Sequence, residues 1–262
     1  MLKTIDRSRV RSGAIASVTH LLASVLVGIC VAALVFFIWY PYPYGELSGG
    51  RNLFLIVISV DVISGPLLTA VLFNPEKRRS ELWRDLGLVV LIQFGALAYG
   101  VHAVWLARPL FLVMEVDRFK VVGTPDLQDE AAQNSLKNLP AVLTPKFWSG
   151  PVIVGIREPK DAQERMTVLF ESIQGGRDYG HRPEFYTLYD AAASKKSLIR
   201  AKPLLDYLDK QPSQRIEAIT LASEKHVNIN QWMFVPVVGR QDWIAILDKQ
   251  GKIQGFLHGN GF

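Results

Sequence analysis

The sequence predicts an α-helical membrane region of three transmembrane helices, followed by an α+β exported domain with a mainly antiparallel sheet. Three observations predict it. Nearly all long apolar runs of the 262-residue chain fall before residue 108. Basic residues cluster beside alternate ends of those runs. The tail carries three short apolar runs, Met233–Val238, Trp243–Leu247 and Ile253–Leu257, the last two joined by the hairpin signal Asp248-Lys249-Gln250-Gly251.

The first helix follows a basic start containing Lys3, Arg7, Arg9 and Arg11. Its apolar run, Gly13 to Trp39, is 27 residues long. That exceeds the ~20 residues that cross a bilayer and the ~7–15 of a signal peptide's apolar core, so it reads as an uncleaved anchor. Phe36, Phe37, Trp39 and Tyr40 close it with an interfacial aromatic belt. Spans are expected at about 14–39, 53–73 and 86–106, dividing the chain into a membrane region, 1–107, and a domain, 108–262.

Topology follows from charge. The 74–85 loop carries Lys77, Arg78, Arg79 and Arg84, whereas the loop between the first two spans has only Arg51, balanced by Glu46. The positive-inside rule then places the N-terminus and the 74–85 loop in the cytoplasm and everything after Arg108 outside. The net charge of +5 is not a nucleic-acid signature, because the domain from Arg108 onward carries 20 basic and 18 acidic residues without a basic cluster. The single cysteine, Cys30, precludes an intrachain disulfide, and Ile29 before it is too large for a lipoprotein cleavage box.

In the middle of the second span stands Asp61, five residues before Pro66. An acid inside a hydrophobic span costs roughly 2.5–3.5 kcal/mol on insertion scales and marks a function or an internal partner. At 1.5 Å per residue Asp61 lies about 12 Å below the outer surface, Tyr99 about 10 Å and His102 about 6 Å. Tyr99 is therefore the preferred partner and His102 the second, with His20 too deep at about 28 Å. Two readings stay open for Asp61: a hydrogen bond that fixes helix register, or a group that engages a partner. Gly65-Pro66 predicts a kink. Ser24, Gly28 and Ala32, and likewise Ala96 and Gly100, stand four apart, a spacing that lets helices approach closely. They either knit the three spans or form a groove for another protein's helix.

The loop around Trp39, Tyr40, Tyr42, Tyr44 and Arg51 is expected to be a positioned surface feature. Two prolines limit its backbone, and Gly49-Gly50 permits a tight return. It is either a belt anchoring helix ends or a binding surface. In the domain, strands are expected at Leu110–Glu115 and Val152–Ile156, and more weakly at Phe185–Leu188 and Ile216–Leu221. Helices are expected over Asp126–Asn138, Asp161–Gln174 (ended by Gly175-Gly176) and Lys202–Lys210. No phosphate-binding glycine pattern, histidine pair at metal spacing or nucleophile elbow occurs, so no catalytic residue, cofactor or metal is expected. The polar loop Gly175–Pro183 reads as a solvated turn or a binding loop.

These residues together resemble the type IV pilin accessory proteins of the TfpX/TfpZ kind. The resembling segments are Trp39–Pro43, Glu46–Gly50, Val60–Val62 with Gly65-Pro66-Leu67, and Phe73-Asn74-Pro75. Glu81–Asp85, Gln93, Tyr99-Gly100, Arg108-Pro109 and Glu115–Phe119 also match. The likeness is strongest over residues 14–120. It implies a bacterial inner-membrane, chaperone-like helper with a periplasmic domain and no catalytic residues. Its expected partners are the type IV major pilin, through membrane helix and periplasmic head, and membrane lipid. The rival classes are a membrane-anchored pilin-modifying enzyme and a sensor. Against them stand the missing acid/base constellation and the short cytoplasmic segments.

Overall fold

A computed structural model describes residues 7–262; Lys3, the first of the basic residues, lies outside them. The chain divides into two compact units, residues 1–37 with 50–106, and residues 38–49 with 107–262.

The first unit is three long helices. Helix α1 runs Arg7–Leu34 and continues through a π-helical turn, Val35–Trp39; α3 is Gly50–Leu72 and α4 is Arg79–Leu106. (The short α2, Tyr44–Leu47, belongs to the second unit.) Their apolar spans, Arg9–Trp39, Gly50–Leu72 and Arg79–Leu106, are each long enough to cross a membrane. The protein is a membrane protein by these three helices.

Glycines set the helix contacts. A methyl added at Gly28 of α1 would lie 2.9 Å from Ile58 Cδ1 of α3, and one at Gly100 of α4 would strike Val57 of α3. Both small-residue positions therefore knit the spans to one another. Helix α3 runs on through Gly65-Pro66, with Pro66 inside the helix. Proline is tolerated within membrane helices, and beside it the Ser17 hydroxyl of α1 donates to the Pro66 carbonyl at 2.8 Å, a further tie between α1 and α3.

The second unit is α+β, built on an open, mixed, mostly antiparallel sheet. Its strands are β1 Pro109–Met114, β2 Phe119–Gly123, β3 Val152–Ile156, β4 Tyr186–Leu188, β5 Lys202–Pro203, β6 Met233–Val238, β7 Asp242–Leu247 and β8 Ile253–His258. Their order is β4-β3-β1-β2-β6-β7-β8, with β5 added to β6. Only β1·β3 and β2·β6 are parallel. The helices are α5 Glu130–Lys137, α6 Ala162–Ile173, α7 Ala191–Leu198, α8 Leu204–Lys210 and α9 Arg215–Glu224.

Both faces of the sheet's centre are covered, so β7 reads as an unbroken apolar run. Trp243, Ala245 and Leu247 enter one core; Ile244 and Ile246 enter the other with α8 and α9. A third core joins β1 and β3 to Leu127, Ala132 and Leu143.

Segment Ile216–Leu221, expected as a strand, is helical within α9. Its buried positions are Ala218 and Ala222, four apart, while Ile216 and Ile219 are exposed. The apolar isoleucines suggested a strand, whereas burial follows the alanine face. Strand β2 and helix α7 carried no clear sequence signal.

Candidate functional site

Polar side chains on three otherwise apolar helices converge inside the first unit. Asp61 of α3 is 5% exposed. It lines a cavity of about 140 Å³ together with His20, Ser24, Gln93, Phe94 and Leu97. Gln93 of α4 holds the three helices at one level: its Nε2 donates to Ser24 Oγ of α1 at 2.9 Å and to the Asp61 carbonyl at 3.1 Å. With both N–H bonds directed, the amide is fixed in orientation. The absence of a side chain at Gly65 makes room for it, since a Cβ there would collide with the Gln93 amide. His20 Nδ1 and Thr69 Oγ1 stand 2.5 Å apart nearby.

The Asp61 carboxylate does not take part in these bonds. Its Oδ1 is buried with no hydrogen-bond partner, and so is Gln93 Oε1. A buried polar atom left unmet loses about 1–3 kcal/mol, and lipid offers no replacement for water. Chemically the cluster is an acceptor-rich pocket that a hydrogen-bond donor would satisfy. Among the described residues no three His, Cys, Asp or Glu side chains converge as metal ligands.

Tyr99 and His102 do not reach this cluster. Tyr99 is 78% exposed and His102 is exposed on the same helix. The expectation of Tyr99 as partner failed because depth was counted from three different helix ends. The spans are 31, 23 and 28 residues long, so equal counts from their ends do not mark equal levels. From its true start at Gly50, Asp61 is about 16 Å along α3, and Gln93 is about 20 Å from the end of α4. Glutamine was the overlooked signal: Gln93 is uncharged but unusual in an apolar helix. Pro66 is buried five residues beyond Asp61, and Arg51 lies exposed at the start of α3.

The aromatic segment has a different fate from the one its composition suggested. Residues 38–49 pack as part of the second unit. Trp39 and Tyr40 are 3% and 1% exposed, and Tyr44 and Leu47 of α2 join the core formed by β1, β2, β6 and β7. The Trp39 indole donates to the Phe147 carbonyl at 3.2 Å. The Arg240 N–H donates to the Leu47 carbonyl at 2.7 Å, and a methyl at Gly239 would collide with Leu47. Only Tyr42 presents its ring outward. Its hydroxyl donates to Glu217 at 3.0 Å while the ring meets Trp243 edge-on. Burial pushes the hydroxyls of Tyr40, Tyr42 and Tyr44 well above the usual tyrosine range; at Tyr42 the bond to Glu217 adds to it. Burial also lowers the Arg108 guanidinium to about 10, against the opposing influence of Tyr40.

The polar loop 175–183 is a braced turn. Arg182, nearly buried, pairs with Glu171 and Glu184, and Arg177 pairs with Asp129 and Glu184.

A family model described as fimbrial assembly protein FimB matches residues 8–49, the first span and the aromatic segment. The fimbrial assembly protein of Dichelobacter nodosus serogroup I is 35% identical over 243 residues, covering 89% of this chain and 90% of the relative. The serogroup E1 protein of the same organism is equally similar over the same extent. That of serogroups C1 and C2 is 42% identical over 115 residues, 44% of this chain and 88% of the relative. No solved structure matches the chain.

Proposed function

Because the chain belongs to the fimbrial assembly protein FimB family, we propose that it acts in fimbrial (type IV pilus) assembly as an inner-membrane, chaperone-like factor for pilin. The observation that carries this reading is the 35% identity to fimbrial assembly proteins along nearly the whole chain. Three membrane-length helices agree with it. So does the buried, unmet carboxylate of Asp61, a group a partner's donor would complete. In this reading the spans engage the apolar membrane helix on which pilin waits, and the domain, on the periplasmic side, engages the pilin head. The protein acts by binding rather than by catalysis.

The test is in-cell crosslinking. Photo-crosslinking residues placed in α1 and α4 beside the cavity should capture pilin, and a strain lacking the protein should lose surface pili. Capture of pilin from neither helix, with piliation intact in the deletion strain, would end the reading.

A further inference from the structure

We propose that the segment Lys146–Gly150, led by Trp148, is a bilayer-contacting element of the second unit, seated among phospholipid headgroups. The argument starts from chain continuity. Trp39 is the last residue of the first span, and Leu106 is the last of the third. Both ends therefore lie at a bilayer surface, and, with an even number of crossings between them, at the same one.

The segment is tied directly to both exits. Phe147 accepts the Trp39 indole N–H and meets its ring at 5.5 Å, edge to face. A methyl at Gly150 would lie 2.8 Å from Pro41 Cγ. The Arg108 guanidinium, two residues past Leu106, donates to the Lys146 carbonyl at 3.1 Å. Two residues span at most about 7 Å, and the headgroup layer on each side is about 5–8 Å thick. The tethers therefore start at or beside that layer and hold the segment next to it.

Their chemistry suits it. Trp148 is 71% exposed, and its ring stands against Phe147, itself exposed. Lys146 is exposed beside them. Tryptophan is enriched at membrane–water interfaces, and Lys or Arg beside it anchors there as well. At the other loop end Arg240, also exposed, reaches over Gly49, the residue before the second span, and supplies a second cation for headgroup phosphate.

The proposal depends on the three spans and not on a role in pilus assembly, so either can fail alone. The test uses the full chain, Cys30→Ala, in phospholipid nanodiscs, with a nitroxide at Trp148→Cys and, as the aqueous reference, at Ile216→Cys, which is 79% exposed on α9. Each label's collisional relaxation is measured with oxygen and with a water-soluble nickel chelate. The oxygen-to-nickel ratio should be several-fold higher there than at 216. Equal ratios at the two positions would overturn the proposal. Trp148 is exposed, so its replacement leaves the cores intact. A label-free control, loss of quenching by brominated lipid in Trp148→Phe, must agree; quenching unchanged from the parent would likewise overturn it.

Discussion

Asp61 carries the sharpest consequence at the scale of single residues. Its carboxylate makes no described hydrogen bond, so Asp61→Leu removes no internal partner and the protein should remain as abundant in the membrane as the parent. If a donor from pilin completes the carboxylate, surface pili should nevertheless be lost in Asp61→Leu. Asp61→Asn then separates charge from shape: retained pili would mean that an amide oxygen suffices. Normal piliation with Asp61→Leu would remove the residue from the mechanism. Gln93 is the structural counterpart. Gln93→Leu deletes two interhelical hydrogen bonds and should destabilise the helix cluster by about 1–2 kcal/mol in detergent unfolding. Outside the membrane spans, Glu115 should make stability depend on pH. Burial raises its carboxyl above the ordinary value of 4.5, outweighing the opposing Lys120 and the bond from the Gly180 N–H. The native state then holds that proton more tightly than the unfolded chain, so this contribution favours folding below 4.5 and declines as pH rises through the native titration. Glu164 acts on the other side. Arg157 and the Lys160 N–H hold it down to about 2, and its contribution is lost only as pH falls from 4.5 toward that value. Melting followed by the fluorescence of Trp232 and Trp243 should therefore show a negative slope of Tm above pH 4.5 that Glu115→Gln flattens.

Among elements, the 38–49 segment changes meaning most. Its tyrosines and prolines read as a surface loop, because an aromatic cluster beside a span has the composition of an interfacial belt. Burial of Tyr44 and Leu47 against strands more than sixty residues away in sequence is not visible in local spacing. The two roles divide by residue. Leu47→Ala should cost the second unit about 2–5 kcal/mol, as large-to-small changes in packed cores do, read as a fall in Tm. Tyr44→Ser should act in the same way. Tyr42→Ser removes the hydroxyl bond to Glu217 and the ring's edge contact with Trp243 at an exposed position, and should lower Tm far less than Leu47→Ala. A loss of piliation in that variant would then report contact with a partner. Undiminished stability in Leu47→Ala would show that the segment is not part of the domain's core.

For the whole molecule, the proposed orientation rests on the charges that flank the spans. A reporter that needs the periplasm should be active when fused after Phe262 and silent at Lys77; the reverse pattern would invert every assignment of sides. By itself the sequence determined the three spans, the division into membrane and α+β parts, and strands β1, β3, β6, β7 and β8. It could do so because the length of an apolar run and the turn residues that bound it are local properties of the chain. The family was also legible, since the segments from Trp39 to Phe119 are distinctive as written. Only the tertiary structure decided which polar groups meet. Whether Asp61 sees Gln93 or Tyr99 depends on the rotation and axial offset of three helices, and one-dimensional depth counting cannot supply these. The same holds for the aromatic segment and for α9. Side chains there are buried or exposed according to what long-range packing places over them, an energy set by contacts between distant parts of the chain rather than by the residues themselves.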